Sequence, residues 1–243
     1  MEKIVNKNGH KRIPRAKSVI ERDVWRCGGV VCGVDEVGRG CLAGPLVTAA
    51  VVLYPGATFA LLKDSKLLTK EQRMRAARWI KEHSWYAYGV ASNHEIDRLN
   101  VYQATIWAMR RAVLQLLGKL PVVPARIVVD AMPLSFEHTV LAAVPVECFP
   151  FAEQRSISVA AASIIAKVYR DALMNEFEKI IPGYALAVHK GYATNKHRHC
   201  VAQLGQSIIH RASFIHDWGE TGDTYDQQIE LFCRSDREFS DSL

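Results

Sequence analysis

The sequence predicts an α/β fold built on a mixed five-stranded sheet with helices packed on it. Three observations carry that expectation. Two short β-branched runs, "VVCGVD" (30–35) and "LVTAAVVLY" (46–54), come early and are separated by a Gly-rich turn, as neighbouring strands are. The later strand candidates are separated from these early strands by helical stretches, the kind of connection that joins parallel strands. The longest of the earlier helical stretches, about 102–117, sets Ile106, Met109, Val113, Leu116 and Leu117 on one face for burial.

Taken in order, the two early strands are followed by "TKEQ" (69–72), a capping box opening a helix through about Glu82. "WYAYGVA" (85–91) reads as a third strand. "SNHE" (92–95) is a second capping box for a short helix, and the 102–117 helix ends before Pro121 and Pro124. "RIVVD" (126–130) and "AVPVEC" (143–148) complete the strands. An Ala-rich helix over about 156–179 stops at Pro182-Gly183. The order is β-β-β-α-β-β-α with additional helices and no internal repeat.

Charge divides the 243 residues into three parts: a basic extension (1–27), a body (28–215) and an acidic tail (216–243) expected to be peripheral. The extension holds eight Lys or Arg against three acids, and the tail eight acids against two basic residues. The body between them is basic, which favours a polyanionic partner such as nucleic acid. No apolar run approaches the roughly 20 residues that span a bilayer, and the leader lacks the apolar core of a secretory signal. Six cysteines without a C-x-x-C pair read as reduced thiols of a cytoplasmic protein.

The chemistry is concentrated in acids at element ends. "GVDEVGRGCLAGP" (33–45) breaks an apolar run with adjacent Asp35 and Glu36. Asp130 closes "RIVVD" in the same way, and Asp171 sits in the long helix in "AKVYRDALM". Singly, a strand-terminal Asp is often a turn former and a helical Asp a solvated charge. Clustered, such acids repel unless divalent cations neutralise them, and oxygen-only ligands suit Mg²⁺ or Mn²⁺. Two such ions support phosphodiester hydrolysis.

"VDEVGRGCLAGP" resembles the opening motif of the type 2 ribonucleases H. "KDSKLL" (63–68), "VVDAMPL", "SVAAASIIAKVYRD", "HKGYATNKH" and "IHRASF" follow as that family's later motifs do, from about Gly29 to Phe214. The resemblance implies a ribonuclease H-like fold with Asp35, Glu36, Asp130 and Asp171 as metal-binding catalytic acids. It implies cleavage of RNA within RNA–DNA hybrids and at single ribonucleotides embedded in duplex DNA, by a monomer, leaving 3′-hydroxyl and 5′-phosphate ends. It further assigns Gly38, Arg39 and Gly40 to the 2′-hydroxyl at the RNA–DNA junction and Tyr192 to the junction sugar. Lys63, Ser65, Lys66 and Lys190 are then expected at the nucleic-acid backbone. Lys196, Arg198 and the histidines about Tyr192 extend that basic patch.

Three departures stand out. Cys41 replaces the usual Pro, and Ala131 follows the third acid where Gly is common, which should stiffen the turn. "AEQRS" (152–156) places Glu153 and Arg155 where the pattern usually has Asp and Lys. "HRHC" (197–200) is not a zinc site, since four consecutive residues cannot readily all ligate one tetrahedral ion. Ser163, on an apolar helix face without a base, reads as a packing residue rather than a nucleophile. The alternatives are a DNA-cutting relative, which needs the acids but not Gly38-Arg39-Gly40, and a non-catalytic binding module, which should have lost an acid.

Overall fold

A computed structural model of the chain describes residues 18–215. The start of the basic extension and the acidic tail lie outside them. The described residues fall into two units: residues 18–39 with 45–173, and residues 40–44 with 174–215.

The first unit holds the sheet. Its strands are β1 (Val31–Val37), β2 (Leu46–Leu53), β3 (Ser84–Ala91), β4 (Arg126–Asp130) and β5 (Val146–Phe149), in the order β3-β2-β1-β4-β5. β1 pairs antiparallel with β2 and parallel with β4. β3 extends the antiparallel side and β5 the parallel side. The helices are α1 (Val19–Arg26), α2 (Lys70–Glu82), α3 (Asn93–Leu99), α4 (Val101–Leu117) and α5 (Ile157–Ile180), whose last turns enter the second unit. Both capping boxes are formed, Thr69 with Gln72 and Ser92 with Glu95.

Alternation along the strands sorts the side chains between two faces. Cys32, Val34, Ala50, Val52, Ile127 and Val129 pack with Met109, Ala112, Val113 and Leu116 of α4. Val47, Ala49, Val51 and Leu53 pack with α2 and α5 on the other face. Gly33 admits α5 to the sheet: a Cβ there would lie 2.2 Å from the Ser158 backbone carbon.

The basic extension does not end outside the body. Its final residues form α1, which buries Ile20 and Val24 against Val31, Val128 and Val159. The fully buried Glu21 carboxylate accepts from the Ser158 N–H and the Ser156 hydroxyl, anchoring α1 to the positive N-terminal end of α5. Its signal was the i, i+4 spacing of Ile20 and Val24 among charges.

The second unit is small. Its helices α6 (Leu186–His189) and α7 (Asn195–Leu204) surround a core of Ala43, Met174, Tyr184, Leu186, Val201, Ile209 and Ile215. Isolated antiparallel bridges tie Cys41 to Tyr192 and Ala43 to His210. The buried Arg211 side chain donates twice to the Gly44 carbonyl, by Nε at 3.1 Å and Nη2 at 2.9 Å. Among the described residues no helix is long and apolar enough to cross a membrane, and the cysteines are unpaired.

Candidate active site

The parallel register of β1 and β4 runs to Val34↔Val129, so the next residues, Asp35 and Asp130, stand side by side where that ladder and β4 end, while β1 continues to Val37 against β2. Their alternates Val31 and Val128 pack with Val159 of α5, which puts both carboxylates on the α5 face. Asp35 is buried. Its Oδ1 accepts the Glu36 N–H at 2.7 Å, and the Ser163 hydroxyl of α5 also donates to it. Ser163 in turn lies 3.0 Å from the Ser65 hydroxyl. With the one Ser163 proton committed to Asp35, Ser65 is the donor to Ser163. Ser163, expected as a packing residue, is therefore a polar support of the acid pair.

Asp130 Oδ1 accepts the Ala152 N–H at 3.0 Å. That bond fixes the single turn Ala152–Gln154, whose Glu153 lies within electrostatic reach of Asp130, Asp64 and Lys66. Glu36 meets Arg39, with Nη1 3.5 Å from Oε1, while its Oε2 is buried without a hydrogen-bond partner.

These placements set the protonation balance. Burial raises Asp35 well above the usual carboxylate range, and the charges of Glu36 and Asp130 push it further against the Ser163 and Glu36 hydrogen bonds. Burial also raises Glu36, with Arg39 opposing and Asp130 adding to the rise. Glu153 is raised by burial first, then by Asp130 and Asp64. Neighbouring acids that each resist ionisation, with one buried oxygen unpartnered, form an oxygen-only donor set suited to a hard divalent cation. The acids do not form a finished cage: among the described residues no group of three or more His, Cys, Asp or Glu is gathered to hold a metal ion, as mutual repulsion favours.

Asp171 is placed differently. Strand β1 and helix α5 run in the same direction, with Gly33 against Ser158, Asp35 against Ser163 and Gly38 against Arg170. Asp171 is therefore level with the Gly38 turn, about 12 Å of helix beyond Ser163. Its carboxylate is held by Lys167 at 2.7 Å, one turn earlier. The acid that accompanies Asp130 is Glu153, which the sequence reading noted only as a departure.

The expected substrate residues are distributed over both units. In the first, Gly38 has φ +91, and a Cβ would lie 2.3 Å from Arg170 Nε, so only glycine fits. The fully buried Arg170 donates to the Pro45 carbonyl at 2.9 Å. Arg39 pairs with Glu36, as described. Ser65 is turned inward to Ser163, Lys66 is exposed, and Lys63 is half-buried. In the second unit, a Cβ on Gly40 would meet open space, Tyr192 is exposed, and Lys190 Nζ donates to Asn175 and to the Ala187 carbonyl. His189 and His197 are buried rather than part of a basic surface.

A β3-β2-β1-β4-β5 sheet covered on both faces by helices, with β1 antiparallel to β2 and parallel to β4, is a ribonuclease H-like fold. A family model described as Ribonuclease HII matches residues 32–217. The chain is 44% identical over 200 residues to ribonuclease HII of Thermus thermophilus, covering 82% of this chain and 93% of the relative. It is 45% identical over 201 residues to that of Herpetosiphon aurantiacus, covering 80% and 93%. It therefore belongs to the ribonuclease HII family, hydrolases that cut the RNA strand of RNA–DNA hybrids and depend on divalent metal. Solved structures agree on the fold. The Archaeoglobus fulgidus RNase HII determined in complex with PCNA gives a TM-score of 0.61 at 24% identity, over 75% of this chain and 94% of that one. Bst-RNase HIII in complex with Mn²⁺ also gives 0.61 at 24%, over 76% and 66%. Ribonuclease H2 from Pyrococcus horikoshii OT3 gives 0.57 at 25%, over 76% and 93%.

Proposed function

We propose that this enzyme, acting as a monomer, cleaves single ribonucleotides embedded in duplex DNA as well as uniform hybrids, leaving 3′-hydroxyl and 5′-phosphate ends. The observation that carries the chemistry is the juxtaposition of Asp35 and Asp130 just past the end of the β1–β4 ladder, beside a buried Glu36 oxygen without a partner. Asp35, Glu36 and Asp130 would hold two divalent ions, Mg²⁺ or Mn²⁺, with Glu153 the best-placed fourth carboxylate and Asp171 more remote. Bound there, such ions would supply Lewis-acid chemistry, favouring ionisation of an attacking water and offsetting charge on a leaving oxygen.

The protein's own part is positioning. Ser163 and the Glu36 N–H hold Asp35, the Ala152 N–H holds Asp130, and Arg39 restrains Glu36. Gly38-Arg39-Gly40, where Gly38 packs on Arg170 and a Cβ at Gly40 would meet open space, is assigned to a ribose 2′-hydroxyl, the group that distinguishes RNA from DNA. Tyr192 offers an exposed ring to a sugar, and its backbone is bridged to Cys41, next to Gly40. Lys63, Lys66 and Lys190 are assigned to phosphates.

End-labelled duplex DNA carrying one ribonucleotide tests this reading. Cleavage should fall on the 5′ side of that nucleotide, leave it on the 5′-phosphate end, require Mg²⁺ or Mn²⁺ and nearly vanish in Asp130→Asn. Cutting elsewhere, or near-normal turnover of the variant at saturating metal, would overturn it.

A further inference from the structure

Three histidines of the second unit are joined in a way that the cleavage reaction does not use. His197 Nδ1 lies 2.9 Å from the Tyr192 carbonyl, which only accepts, so Nδ1 carries the proton and Nε2 is bare. The Ser207 N–H points to His210 Nδ1 at 2.9 Å, with the Ser207 hydroxyl at 2.7 Å, so His210 is protonated at Nε2. That Nε2–H faces the bare Nε2 of His197 at 3.1 Å. His189 directs Nε2 to the Tyr184 carbonyl at 2.7 Å, and its Nδ1 accepts the Gly191 N–H at 3.1 Å. Its ring stacks on His197 with centroids 4.1 Å apart. Two ring nitrogens face carbonyls and two face N–H groups, and the shared Nε2–Nε2 contact then takes its proton from His210, so each tautomer is assigned and each ring is neutral. His189 and His197 each hold a backbone group of the Gly191–Tyr192 segment, where Gly191 has φ +80 and a Cβ would meet the Ala43 carbonyl at 2.3 Å.

We propose that His197, locked by His210 and stacked on His189, is a positioning residue that fixes the backbone from which Tyr192 presents its ring to the substrate sugar. This rests on the reading of Tyr192 as the sugar contact. An extra proton on His197 would have to enter at Nε2, directly opposite the His210 N–H. Burial and the neighbouring histidines accordingly push His197 down to about 4, and burial also lowers His189 and His210. Around His189, Lys190 and Lys196 reinforce that lowering, and Glu178 opposes it. Tyr184 packs its ring on His210. The relay therefore stays neutral across the physiological range.

Two measurements on the full chain test this. Long-range ¹⁵N–¹H NMR at pH 7 should show His197 as the Nδ1–H tautomer and His189 and His210 as Nε2–H tautomers. An imidazolium or an opposite tautomer at any of the three overturns the relay whatever the enzyme does. Kinetics on a duplex with one embedded ribonucleotide then test the role. His197→Ala should lower kcat/KM about 10- to 100-fold, the loss expected of a displaced positioning group. His197→Asn, whose amide can replace the Nδ1 donor, should restore most of it. In a Tyr192→Ala background His197→Ala should cost nothing further. Equal losses in His197→Ala and His197→Asn, or a full further loss in the Tyr192→Ala background, would reduce His197 to a packing residue. Wild-type cleavage by Tyr192→Ala itself would instead sink the sugar contact, and with it the positioning role, while leaving the tautomer result to stand or fall alone.

Discussion

The hydroxyls of Ser65 and Ser163 meet at 3.0 Å, and Ser163 donates onward to Asp35. One comes from the turn carrying Lys63 and Lys66, the other from the long helix. Together they support the carboxylate from behind, giving "KDSK" and "AAASIIA" a shared purpose that neither shows alone. Ser163→Ala leaves Asp35 with one donor fewer in a buried setting, a loss worth about 1–3 kcal/mol. Mn²⁺ affinity measured by calorimetry should weaken in Ser163→Ala, with a smaller effect in Ser65→Ala. Unchanged affinity in Ser163→Ala would show that the hydroxyl only fills space.

Stability without metal should depend on pH with a definite sign. Asp35 has a folded-state value raised above the roughly 3.9 of an unfolded Asp. Between those values the folded chain binds more protons than the unfolded one, so stability falls as pH rises through that window. Asp35→Asn removes the titration. Denaturation midpoints in chelator, taken from pH 5 to 8, should decline less for Asp35→Asn than for the wild type, and the variant should be the more stable at pH 8. Parallel profiles would mean that Asp35 is not under the strain described.

The fourth acid is decided by comparing two variants. Glu153 shares its surroundings with Asp130, whereas Asp171 is paired with Lys167. Glu153→Gln should reduce metal-dependent turnover more than Asp171→Asn does, with both proteins folded by circular dichroism. The reverse ranking would restore Asp171 to the centre.

What was legible in the sequence follows from what is local. Asp35 and Glu36 are adjacent at the end of an apolar run, and Asp130 closes another, so strand ends alone identified them. The capping boxes at Thr69 and Ser92 are four-residue signals and were equally plain. Glu153 was not legible, because its approach to Asp130 depends on the Ala152 N–H bond across 22 residues and on one irregular turn. Asp171 drew attention through its helical motif, yet only the matched run of β1 and α5 shows which helix level faces the acids. Ala131 was expected to stiffen its turn, and it adopts φ +50, a left-handed conformation that costs a non-glycine residue about 1–2 kcal/mol. Helix α1 was hidden by the charge of the residues around it, its apolar stripe being only two buried residues wide. Of the relay, His189 and His197 were read as basic surface because burial cannot be inferred from "HKGYATNKH", and His210 was seen only as part of "IHRASF".

Rates on two duplexes that differ by one oxygen test the ribose contact most directly. One carries a single ribonucleotide, the other its 2′-deoxy counterpart, with Mg²⁺ or Mn²⁺ at saturation. If Gly38-Arg39-Gly40 and Tyr192 read the ribose, the deoxy duplex leaves polar groups of the site unpaired, and its cleavage should fall by about 10⁴-fold or more. Comparable rates on the two duplexes would contradict the junction reading and favour a nuclease that attacks DNA itself.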